Sequence, residues 1–167
     1  MTVRRRHYRS LAMRVMALTW LPEFNVMLFA FLLNYPWEFV QAPLFEGMAG
    51  QPHWSAVKGC SQAALGDAVI MLIAYWGVAA LGRGRTWIAA PSRRETVLLS
   101  SIGVGLTVVI ELLALHGRWM AAWSYSAAMP VIPGLGVGLV PVLQWVVLPP
   151  LVVALVARQL RGQRNSP

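Results

Sequence analysis

The sequence predicts an all-α protein, a polytopic membrane helix bundle with four transmembrane helices and both termini cytoplasmic. Three observations predict it. Apolar residues fill 57% of the 167 positions and charged residues only 12%, with mean hydropathy +0.58, whereas a soluble domain carries about 25% charge. Four apolar stretches, about 22–42, 62–81, 96–115 and 138–158, each supply the roughly 20 residues that a helix needs to cross the hydrocarbon core. The arginines fall on alternate connections: Arg4, Arg5, Arg6, Arg9 and Arg14 before the first span, Arg83, Arg85, Arg93 and Arg94 after the second, Arg158, Arg161 and Arg164 after the fourth. The other two connections hold only Lys58 and Arg118. That asymmetry is the positive-inside pattern of a multi-pass protein of the cell inner (plasma) membrane. It accounts for the net charge of +8, so the expected partner is the lipid bilayer and not nucleic acid.

Residues 1–21 are basic with one apolar patch, Leu11, Val15 and Met16, and no small-residue cleavage pattern follows. They are expected to lie as an amphipathic segment on the cytoplasmic surface. The transmembrane domain is expected over 22–158 and a basic cytoplasmic tail over 159–167. Span one opens on Leu21-Pro22-Glu23, where proline suits the first turn and the acid suits the positive end of the helix dipole. Its far end reads Asn34-Tyr35-Pro36-Trp37-Glu38-Phe39-Val40-Gln41. Asn34, Glu38 and Gln41 fall at i, i+4 and i+7, on one helix face. Pro36 removes a backbone hydrogen bond there, so this turn is expected either to loosen or to end the helix.

The connection 42–61 carries Pro43, Gly47, Gly50, Pro52 and Trp54 and reads as an external loop. Asp67 is then placed a turn or so inside span two, where it either joins a polar site or complements the dipole of the first turn. On span three, Ser100, Gly103, Thr107 and Glu111 form a stripe at helical spacing; the small residues suit close helix packing, and Glu111 is left over. The second external connection, 116–137, carries Trp119, Trp123, Tyr125 and alternating glycines that could let the chain re-enter the membrane edge. Span four contains Pro141, Gln144, Pro149 and Pro150 and is expected to bend. Cys60 is the only cysteine, so no internal disulfide forms.

At 1.5 Å per residue, Glu38, Asp67, Glu111 and Gln144 each fall roughly 5–10 Å to the outer side of their span centres. An acid at the centre of a spanning helix costs about 2.5–3.5 kcal/mol, which makes three unrelated ones an expensive coincidence. The expected catalytic cluster is Glu38, Asp67, Glu111 and His116, with at least one carboxyl carrying a proton near neutral pH. Asn34, Trp37, Gln41, Trp119, Trp123, Tyr125 and Gln144 are the expected substrate-binding residues. No close-spaced pair such as His-x-x-x-His occurs, so neither a metal nor a cofactor is expected.

Trp37-Glu38, Pro43-Leu44, Gly66-Asp67, Glu111, Trp123-x-Tyr125, Met129-Pro130 and Pro141-x-x-Gln144 together resemble a group of small bacterial four-span membrane proteins over nearly the whole chain. The resemblance implies that these residues belong together and supplies no reaction. Asn34 to Glu38 is similar, over a few residues, to the asparagine–tryptophan–glutamate segment of integral-membrane terpene and carotenoid cyclases. That similarity implies acid/base chemistry on a lipophilic, isoprenoid-like small molecule. The alternatives are a small proton- or cation-coupled transporter and an accessory or assembly subunit whose polar residues knit helices together.

Overall fold

The computed structural model describes residues 19–82, 84–118 and 122–164. Among them the chain is helical, and extended pairing is confined to two isolated β-bridges, Phe45 with Tyr125 and Val131 with Gly138. The long helices are α1 Pro22–Gln41, α2 His53–Leu81, α3 Arg93–Leu115 and α4 Leu139–Arg164. Short 3-10 turns follow α1 at Ala42–Leu44 and α2 at Gly84–Ala89. α1 and α3 each pack against both α2 and α4, which closes a ring of four. Helices α2, α3 and α4 are long and apolar enough to cross a membrane. α1 is diluted by Asn25, Asn34, Glu38 and Gln41, all of which it buries.

Polarity is inverted relative to a soluble protein. Leu28, Leu32, Val69, Ile73, Val109, Val146 and Leu151 are exposed, while Asn34, Glu38, Gln41, Thr107, Glu111 and Gln144 are buried. A surface of this kind needs an apolar medium around it.

α1 begins as expected, with Pro22 in its first turn and Glu23 beside it. The Glu23 carboxylate also accepts two hydrogen bonds from Arg85, Nε at 2.7 Å and Nη2 at 2.8 Å. This bidentate pair is half exposed, so its net worth stays below about 1 kcal/mol. Pro36 does not end the helix, which runs on to Gln41. The carbonyl that Pro36 leaves without its partner is that of Leu32, on the exposed side.

α2 departs most from expectation. It starts at His53, so the connection is helical over 53–61, and Asp67 lies about four turns, or roughly 21 Å, inside the helix. Pro52 marks the true start, and the run His53–Ser61 holds no breaker but Gly59. The dipole-complementing role for Asp67 is thereby ruled out, because that effect fades within the first turn. α3 starts with a capping box in which Glu95 N donates to Ser92 Oγ at 3.3 Å and Ser92 N donates to Glu95 Oε2 at 2.7 Å. Residues 159–164, expected as tail, continue α4, and Pro149 and Pro150 lie within it. The segment 1–18 and its amphipathic patch lie outside the described residues.

One end of the bundle gathers the arginines. Arg85 meets α1 through Glu23, the Tyr75 hydroxyl donates to the Arg85 carbonyl at 2.7 Å, and Arg161 Nη1 donates to the Ala89 carbonyl at 3.4 Å. Trp87 stacks on Tyr75 with centroids 5.8 Å apart, and Met71, Val78, Leu99, Val152 and Val156 complete a buried apolar core. At the opposite end the two other connections pair. Glu46 N donates to the Ser124 carbonyl and Ser126 N to the Leu44 carbonyl, each at 2.9 Å.

Candidate functional site

The buried polar residues of α1, α2 and α4 converge on one atom, the amide nitrogen of Gln144. It donates to Asn34 Oδ1 at 2.6 Å, Asp67 Oδ2 at 2.7 Å and Glu38 Oε1 at 3.3 Å. A primary amide has two hydrogens, so three acceptors share them. Asn34 turns its own amide back to the Ala30 carbonyl at 2.7 Å, which leaves its oxygen free for Gln144. Gln41 Nε2 donates to Glu38 Oε1 at 2.8 Å, and Trp37 Nε1 donates to Gln41 Oε1 at 3.2 Å. The helical spacing of Asn34, Glu38 and Gln41 therefore does what it implied: one face of α1 supplies a continuous row of amide and carboxyl groups.

Glu111 forms a second centre on α3. Its Oε2 accepts from Trp123 Nε1 at 3.0 Å and from the Tyr125 hydroxyl, and the Tyr125 oxygen accepts from Gly138 N at 2.9 Å. Burial pushes the Tyr125 phenol above its ordinary range, and the hydrogen bond to Glu111 adds to the shift. Tyr125 thus links α3, the connection that follows it and the start of α4. Glu111 is near enough to Glu38 for their charges to act on each other, and Asp67 feels both. Among the described residues, no arginine, lysine or histidine pairs with Glu38, Asp67 or Glu111, and Lys58 and Arg118 are exposed.

The connections that follow α1 and α3 close over this layer. Ser124 Oγ donates to Glu46 Oε2 at 2.7 Å and Ser126 Oγ to the Pro43 carbonyl at 3.3 Å. Phe45 packs edge-on against Trp123, centroids 6.4 Å apart, and tilted against Tyr125 at 5.5 Å. Gly134 and Gly136 take positive φ values of 78° and 71°, and the chain folds back so that Ile132 N donates to the Val137 carbonyl at 2.8 Å. A clasp formed by loops about eighty positions apart has no local sequence signature.

The structure thus brings Asn34, Glu38, Gln41, Asp67 and Gln144 together, with Trp37 at the edge, and places Glu111, Trp123 and Tyr125 beside them. His116 does not join the acids. It caps the C-terminus of α3, is exposed, and donates from Nδ1 to the Leu112 carbonyl at 2.7 Å, because the helix ends before the ring can reach inward. Trp119 lies outside the described residues. Gly138, whose backbone N–H holds Tyr125, and the Glu46–Ser124 pair are site residues that sequence reasoning missed. Compared with models of protein families, with curated proteins and with solved structures, the chain matches none.

Proposed function

We propose that the chain is a four-span protein of a bacterial inner membrane, both termini cytoplasmic, whose Glu38–Asp67 pair performs acid/base chemistry on a lipophilic, isoprenoid-like molecule. The observation that carries this reading is the convergence of Asn34, Glu38 and Asp67 on the Gln144 amide with no cationic side chain of the described residues paired to them. Two carboxylates sharing one amide in a low-dielectric site repel each other, and a proton held between them removes the repulsion. A carboxyl group kept neutral in this way is a Brønsted acid facing an apolar medium.

Transfer of that proton to an alkene carbon turns the π pair into a new C–H bond and leaves a cation on the neighbouring carbon. The indole rings of Trp37 and Trp123 suit that cation. Loss of a proton from the adjacent carbon to a carboxylate restores the double bond, and no proton is consumed overall. The four-span topology is supported by the gathering of Glu23, Arg85 and Arg161 at one end of the bundle.

The test incubates the reconstituted protein with linear isoprenoid alkenes in D2O. Product should carry one deuterium at the protonated carbon, and Glu38→Gln or Asp67→Asn should lower turnover roughly 100- to 10,000-fold while the protein stays folded. A protonated-carboxyl infrared band that vanishes in either variant should accompany it. Full turnover in both variants would sink the reading. A second reading, proton-coupled transport, draws on Pro36 in α1 and on Pro149 and Pro150 in α4, which loosen those helices; it requires gradient-dependent flux in liposomes.

A further inference from the structure

The arginine-rich end of the bundle carries a feature that the carboxyl–amide layer does not use. Leu155, Arg158, Gln159, Gly162 and Gln163 recur at i, i+3, i+4, i+7 and i+8, one face of α4. With Phe29 of α1 they line an open groove of about 510 Å3. Its chemistry changes along the helix axis. Phe29 and Leu155 make the inner end apolar, whereas Arg158, Gln159 and Gln163 make the end nearer the terminus of α4 polar. From Leu155 to Gln163 the rise is about 12 Å, enough to reach from a headgroup layer roughly 5–8 Å thick into the hydrocarbon.

Two groups in the groove ask for a ligand. Arg158 is exposed, and no carboxylate of the described residues pairs with it. The side-chain oxygen of Gln163 is buried without a hydrogen-bond partner among the described residues, a condition that native proteins rarely leave unmet. A buried acceptor needs a donor, a guanidinium needs an anion, and an apolar wall needs a chain. We infer that this groove binds an anionic glycerophospholipid with a hydroxyl-bearing headgroup, of which phosphatidylglycerol is the type. Its phosphate sits on Arg158, a headgroup hydroxyl donates to the Gln163 oxygen, and the upper acyl chain lies along Leu155 and Phe29.

The test uses the full chain in detergent. Thermal stability is followed as phosphatidylglycerol, phosphatidylcholine of the same acyl chains, or inorganic phosphate with glycerol is added, and native mass spectrometry counts retained lipid. Phosphatidylglycerol alone should raise the melting temperature. Arg158→Gln should weaken its apparent affinity about fivefold, and Gln163→Leu should erode the preference for a hydroxyl-bearing headgroup. Arg93→Gln, at the first residue of α3, should leave the affinity unchanged. Equal stabilisation by both lipids, equal losses from Arg158→Gln and Arg93→Gln, or stabilisation by phosphate with glycerol would each overturn the inference.

Discussion

Gln144 is the residue on which the polar layer depends. Its amide holds one oxygen from α1 and a carboxyl from each of α1 and α2, so Gln144→Leu leaves the Asn34 and Asp67 acceptors without a donor, whereas Glu38 Oε1 keeps Gln41. Each such group costs about 1–3 kcal/mol, and the melting temperature in detergent should fall accordingly. Tyr125 holds the neighbouring Glu111 centre in the same manner. Its phenol is raised above the ordinary value by burial and by Glu111, so folding favours the neutral form. That contribution is present in full below the unfolded value of about 10 and is lost as pH rises from there through the folded value. Stability measured across pH 8–12 should decline in the wild type, and the decline should be shallower in Tyr125→Phe, which has nothing to ionise at that position.

Among the elements, α3 shows how close packing constrains a helix face. A methyl group built on Gly103 lies 2.0 Å from Cε3 of Trp145, and both residues are buried. Gly103→Ala therefore forces apart α3 and α4 and should cost about 1–3 kcal/mol, with partial recovery when Trp145 is replaced by leucine. The stripe of Ser100, Gly103, Thr107 and Glu111 is thus part packing and part site: its glycine admits the indole, and its glutamate receives Trp123 and Tyr125. At the start of the same helix, Ser92→Ala removes one half of the capping box and should cost about 1 kcal/mol. Thermal melts of the single variants test both.

For the whole molecule, the decisive property is which side each connection faces. In a Cys60→Ser background, cysteines placed at Arg94 and at Gly134 should react with a membrane-impermeant maleimide from opposite sides of sealed vesicles, as a four-span topology demands. Labelling of both from one side would mean that α3 does not cross. Close packing of α1 against α2 and α4, with Asn34, Glu38 and Gln41 turned into the bundle, explains how a helix of modest hydropathy sits among three apolar ones: its polar groups are satisfied by partners and not by lipid.

Composition and the periodicity of single segments were enough, read from the sequence, to establish the helical class, three of the four membrane-capable segments and the shared face of Asn34, Glu38 and Gln41, because those properties depend on residues close together in the chain. The depth of Asp67 was misjudged for a related reason: Gly59 and the polar residues of 53–61 look like loop, and only packing of Cys60 and Ala64 into the bundle makes them helix. The meeting of three helices on Gln144 and the clasp of Phe45 with Tyr125 were decided by tertiary structure alone. Each joins groups far apart in sequence, and no local pattern records which of many polar side chains will lie at hydrogen-bond distance once the ring of helices closes.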